Sequence, residues 1–240
     1  MTFFTDSLPI YLNGAWYTLM ITVGGCALAF VISMIFGILG TMRSLVARAI
    51  ATVYVEIFRG VAALVLMFWL FYAMPLLIGY RLEPVVAAIL ALGLNVGAYG
   101  AENVRGAINA VPRAQYEATV ALNFEPLQRM RLVILPQAWA QMLPTFGNLV
   151  IELMKGSAVV SLIAVSDLTF VAQQMRTFTG ETLLAFLAAL IMYFILAQIF
   201  LFLTRMAERR ANRRLGRLPD RPAKKRAIPS MAGVARGGES

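Results

Sequence analysis

Three acid–base pairs, each set three residues apart, interrupt otherwise apolar sequence: Glu56 with Arg59, Glu102 with Arg105, and Glu152 with Lys155. On a helix that spacing puts both members on one face, near enough to pair. Charge inside a bilayer is costly, so it faces a cavity, a partner or another charge. Asn95, Tyr99 and Glu102 share one face, at helical positions i, i+4 and i+7. Ser157 follows Lys155 among small residues. Carboxylates, a cation, an amide and hydroxyls side by side can hold a zwitterion, which needs both an anionic partner and donors. The plainer alternative is that each pair neutralises itself and locks helix packing. Covalent chemistry has little to work with. The chain has no His, a single Cys (Cys26, mid-span) and no metal-ligand cluster, so it is not expected to be an enzyme.

The elements that must position these groups are membrane helices. Hydrophobic residues make up 60% of the chain and charged residues 14%, which places it among polytopic membrane proteins. A span needs about 20 largely apolar residues. Five windows qualify, at 15–42, 52–72, 84–101, 145–166 and 182–204. The fold class expected is therefore an all-α polytopic membrane protein with five transmembrane helices. The first window is long enough to tilt, and it has neither the basic flank nor the small-residue cleavage site of a signal peptide. Gly24, Gly25, Gly37 and Gly40 in that window, and the Gly93/Gly97 pair in the third, read as close-packing positions.

The net charge of +9 does not point to nucleic acid, because topology accounts for the basic residues. Arg43, Arg48, Arg105, Arg113, Arg129, Arg131 and the tail from Arg205 fall on one side of the five spans; only Arg81 and Arg176 fall on the other. That puts the N-terminus outside and the C-terminus in the cytoplasm. Residues 1–208 form the membrane domain. The tail, 209–240, has the composition of a disordered basic segment drawn to anionic lipid headgroups.

The stretch Tyr116–Pro136, reading YEATVALNFEPLQRMRLVILP, lies between the third and fourth windows and holds four charges. Arg113 to Leu122 has the composition of a short helix. Asn123 is of a type that enters the left-handed conformation and stops helices. Pro126 fits the first turn of a second helix, and Pro136 is expected to end or kink that one. A helix of two or three turns is marginal alone, so this one is expected to dock.

Glu117-Ala118-Thr119, Asn123 and Ile134-Leu135-Pro136 resemble the EAA–Gly–ILP cytoplasmic loop of membrane subunits of ATP-binding-cassette importers. Thr119 stands for a small residue and Asn123 for the Gly. The resemblance implies that the loop, about 113–136, is a coupling helix seated on an ATPase subunit, with Glu117, Ala118, Asn123, Leu135 and Pro136 at that contact. YVEIFRG (residues 54–60) and LNVGAYGAENVRGAINAVP (94–112) are similar to the polar amino-acid permease branch. Val61-Ala62-Ala63 departs from that branch's Thr-Pro-Leu, and with it a proline kink is expected to be lost. Gly156-Ser157-Ala158 departs from Asp-Thr-Ser. Val61–Leu64, the 94–112 run and LNFEPLQRM most resemble ectoine and hydroxyectoine permease subunits.

The same resemblance implies a substrate pathway lined by Asn95, Tyr99, Glu102, Glu152, Lys155 and Ser157. It also implies three protein partners: an ATPase, a periplasmic substrate-binding protein and a second permease subunit, as homo- or heterodimer. No GxxxxGK[ST] motif occurs, so ATP and Mg are expected on the ATPase chain and no cofactor on this one. Two rivals stand beside this reading. One is a self-contained proton-coupled carrier titrating at Glu102 or Glu152, against which the lack of a repeat with two-fold symmetry counts. The other is a non-transporting membrane assembly subunit.

Overall fold

A computed structural model describes residues 2–214, with side chains for 7–211. The basic tail expected over 209–240 therefore lies, past residue 214, outside the described residues. Among the described residues the chain is helical throughout, with no strand. The helices are α1 (Thr2–Leu39), α2 (Leu45–Gly60), α3 (Ala63–Phe68), α4 (Met74–Ile78), α5 (Pro84–Asn109), α6 (Arg113–Ala121), α7 (Pro126–Arg129), α8 (Leu135–Gly156), α9 (Leu168–Thr179) and α10 (Thr182–Arg214). Four segments are long and apolar enough to cross a membrane, and a fifth if α2 and the helix after it count as one broken span.

Helix α5 is the centre of the bundle, and glycines make it so. It packs along α1, where Gly93 and Gly97 let the two backbones approach. A Cβ on Gly93 would sit 2.7 Å from Leu28 Cδ2, and one on Gly97 2.9 Å from Ile32 Cγ2. Gly37 of α1 serves the same contact from the other side, against Val104. Ser33 of α1 lies 2.6 Å from the Ala29 carbonyl and 3.1 Å from that of Gly97, so its hydroxyl is satisfied in the seam. Between helices in lipid there is no hydrophobic drive to associate, and close van der Waals contact of this kind replaces it. Helix α10 leaves most of its apolar side chains exposed, including Phe194 and Phe202.

The second span differs from the single helix expected over 52–72. It breaks after Gly60, and the axes on either side are bent by 97°. Val61 (φ −99°, ψ 131°) and Ala62 (φ −62°, ψ 135°) are extended, so the break is two residues of non-helical backbone. The kink expected to be lost with a proline is present without one. Beyond it, α3 passes through a π turn (Trp69–Ala73) into α4, which Gly79 ends at φ 72°.

A second π turn, Met130–Ile134, joins α7 to α8. In both cases the π turn closes one residue before a proline, with Met74 N bonding Trp69 O and Leu135 N bonding Met130 O. A proline cannot donate to the carbonyl four residues back, and its ring crowds that group. Widening the preceding turn by one residue relieves the clash and re-pairs the ladder. Pro136 therefore neither ends nor breaks the helix, and one helical segment runs from Pro126 to Ile163. It closes with a 3₁₀ stretch, Ser157–Ile163, and Ala164 at φ 59°.

The glycine seam has a direct test. Gly97→Leu must push α1 off α5, and overpacking of this kind costs about 1–3 kcal/mol. Gly106, on the same helix, is the control, because a Cβ there would meet nothing within 4 Å. Thermal unfolding in detergent should show Gly97→Leu lower by roughly 2–10 °C, with Gly106→Ala at or above the parent.

Candidate functional site

The loop between α5 and α8 is built from local backbone chemistry. Helix α6 ends in paired reverse bonds, Phe124 N to Thr119 O at 3.0 Å and Asn123 N to Val120 O at 2.9 Å. That pattern needs a left-handed residue at Asn123, and its φ is 55°. Asn thus fills the glycine position without breaking the turn. Thr119, where a small residue was expected, is buried and donates its hydroxyl to Tyr116 O at 2.7 Å. Glu125 and Gln128 form a reciprocal capping box at the start of α7, with Pro126 in its first turn.

The inner face of this loop is anchored. Tyr116, Met130, Val133 and Leu135 pack on buried Ile108, Val111 and Ile134. Burial pushes the Tyr116 hydroxyl's pKa up, against the lowering influence of nearby Arg129. The outer face is free: Glu117, Ala118, Asn123 and Pro136 are exposed, as are Val120, Leu122 and Leu127. The loop thus presents a carboxylate among exposed apolar side chains on a support packed from behind.

The charged groups do not all close into the three pairs that the plainer alternative required. Only Glu102 and Arg105 lie within salt-bridge distance among the described residues, at 2.7 Å. Glu56 and Arg59 do not close. Both are exposed, and the Arg59 guanidinium instead lies 5.2 Å from the ring centroid of Tyr99. Stacking on an aromatic face competes well with an exposed ion pair, which is worth little. Glu152 and Lys155 are likewise exposed and unbridged. Lys155 lines a cavity of about 470 Å³ between α8 and α10, with Ile151, Tyr193, Phe194, Gln198 and Leu201.

The structure therefore brings Arg59, Tyr99 and Asn95 together where α2 meets α5, and places Glu152 and Lys155 on α8. Asn95 is 9% exposed, and its amide nitrogen donates to Phe58 O at 2.7 Å and Val61 O at 3.0 Å. Ser157 is fully buried, with its hydroxyl donating to Met154 O at 2.7 Å. It supports the end of α8 and does not share the exposed face of Glu152 and Lys155.

Comparison with known proteins decides what such a molecule is. The family model described as "Binding-protein-dependent transport system inner membrane component" matches residues 29–213. The chain belongs to that family. A Sinorhizobium fredii protein named "Probable amino-acid ABC transporter permease protein" is 48% identical over 169 residues, covering 68% of this chain and 71% of the relative. The "Glutamine transport system permease protein" of Escherichia coli is 34% identical over 170 residues, or 70% of this chain and 78% of that one. A solved structure, "Crystal structure of an amino acid ABC transporter with histidines", superposes with a TM-score of 0.79 at 29% identity, covering 86% of this chain and 96% of that one.

This inner membrane component also holds a polar cluster that sequence reasoning missed. Asp167, fully buried, caps α9 by accepting from Phe170 N at 2.9 Å, and accepts from the Tyr193 hydroxyl at 3.0 Å. Thr169 lies 3.1 Å from that hydroxyl, and Leu168 N donates to Thr18 Oγ1 at 3.3 Å. The cluster ties α9 to both α1 and α10. Its signal was an acid directly before the apolar-periodic LTFVA, an ordinary N-cap signature.

Burial pushes the Asp167 carboxyl up, partly offset by the hydrogen bonds it accepts from Phe170 and Tyr193. Its folded pKa lies above the unfolded value. Its contribution is therefore full below the unfolded pKa and is lost as pH rises through the raised folded one. Asp167→Ala removes the cap and strands Tyr193, at a cost of about 1–3 kcal/mol. Asp167→Asn does not titrate, so thermal melts at increasing pH should show it gaining on the parent across that window.

Proposed function

We propose that this chain is the permease subunit of a binding-protein-dependent ABC importer, and that it carries a polar amino acid across the inner membrane. The observation that carries this is the loop. Its two short helices, joined at Asn123, are anchored on one face and present Glu117 with Val120, Leu122 and Leu127 on the other. A surface so rigid and so exposed is suited to a protein partner. The expected occupant is a separate ATPase subunit bearing ATP and Mg, met through Glu117, Ala118 and Asn123 beside exposed Pro136, with Leu135 packed inward behind it. By the distribution of positive charge, that loop and the C-terminus would lie in the cytoplasm and the N-terminus outside. A substrate-binding protein would then meet the opposite end, and a second permease subunit, identical or related, would complete the pathway.

Relatives named for amino-acid and glutamine transport support the substrate class. Tyr99, Glu152 and Lys155 are exposed and offer a hydroxyl, an acid and a cation, as a zwitterion requires, whereas Glu102 is half-buried and bridged to Arg105. Asn95 has committed both amide hydrogens to the backbone, so only its carbonyl oxygen is left for a substrate. An ectoine-like solute is the narrower reading, resting on Val61–Leu64 and the 94–112 run. Competition between glutamine and ectoine for uptake into proteoliposomes separates the two. Uptake driven by a proton gradient with no ATPase present would overturn the importer reading.

The coupling contact is tested at Glu117. Glu117→Lys should leave membrane insertion intact and weaken assembly with the ATPase about tenfold, ~1.4 kcal/mol. Co-purification and stimulated ATP hydrolysis read it out, and unchanged values for both would remove the assignment.

A further inference from the structure

We infer that Asn95 is the pin that holds the second span bent, in the role a proline at position 62 would otherwise fill, and that it thereby positions Arg59 over Tyr99. The argument begins with the carbonyls that the break orphans. In an unbroken helix Phe58 O would accept from the amide of residue 62, and Val61 O from that of residue 65. With Val61 and Ala62 extended, neither bond forms. Unsatisfied carbonyls are expensive at membrane depth. The two hydrogens of the Asn95 amide go to those two oxygens, at 2.7 and 3.0 Å. Both acceptors are carbonyls, so the orientation of the amide follows from its partners.

The neighbouring contacts form a ladder along the same seam. Tyr54, one turn before Phe58, donates its hydroxyl to Leu94 O beside Asn95 at 2.7 Å and stacks on Phe36 with ring centroids 4.0 Å apart. Arg59, next to Phe58, lies over Tyr99, one turn beyond Asn95. The backbone at the break already meets the conditions of a proline. Ala62 has φ −62°, Val61 is extended as a residue before proline must be, and the Ala62 amide makes no hydrogen bond among the described residues. A chain that has alanine there gets no stiffness from the residue itself. The bend is held from outside, by span three.

A label pair across the break tests this without reference to what is transported. With Cys26 replaced by serine, spin labels at exposed Val53 and Leu77 report the bend as a distance distribution in lipid nanodiscs. Asn95→Leu, close in volume and without the amide, should broaden and shift that distribution and lower the thermal midpoint by several degrees. Adding Ala62→Pro should restore the parental distribution, which lost packing alone would not allow. Ala62→Pro by itself should leave the distance unchanged and the midpoint at or above the parent. A parental distribution in Asn95→Leu would overturn the inference. So would failure of the proline to rescue it, including the case in which neither Asn95→Leu nor the double variant folds while Ala62→Pro does.

Discussion

Inside a bilayer no water is available to a stray carbonyl or amide, and the main irregularities of this fold carry local repairs for that reason. The break at Val61 and Ala62 is met by the Asn95 amide. Two prolines are preceded by π turns that re-pair the ladder around them. The turn at Asn123 closes its orphaned carbonyls with reverse bonds, and the start of α9 is capped by a buried carboxylate. Helix ends and kinks are therefore placed where a specific side chain or an added residue can satisfy them. The long straight elements between, above all α1 and α5, are left to pack through glycine.

Much of this was legible in sequence where the signal is local. Apolar length gave five windows, and residue type at 123, 126 and 136 marked the loop, because turn chemistry acts within a few residues. Asn123 entering the left-handed region is the clearest case. What was not legible depended on residues far apart in the chain. Proline 62 is absent, so a local reading loses the kink, whereas the group that makes it sits on α5, more than thirty positions on. Spacing pairs Arg59 with Glu56, yet its neighbour is Tyr99. Helix α9 escapes a search for spans because its apolar face is short, and the Tyr193 that completes its cap arrives from the next span.

The exposed charges follow the same logic at a larger scale. Glu56, Arg59, Glu152 and Lys155 are exposed on the single chain, and a bilayer would not tolerate them against lipid. The surface that carries these groups must meet water, a substrate or another membrane chain, whereas the apolar face of α10 can meet lipid at no cost.

One element connects the two candidate surfaces. The helical segment from Pro126 to Ile163 begins in the loop, on its exposed side, and carries Glu152 and Lys155 near its other end. At 1.5 Å per residue the 22 residues of α8 alone extend about 33 Å, the depth of a bilayer's hydrocarbon core. A helix transmits displacement along its axis well, but a π turn is a place where register can adjust. Here that turn, Met130–Ile134, lies between α7 of the exposed loop and α8, with Ile134 fully buried beside Ile108 of α5. On the importer reading, force applied to Glu117 on α6 would pass the Asn123 turn before reaching Lys155 along this segment. The buried Ile134 contact would set whether the segment slides as a unit or yields at its π turn.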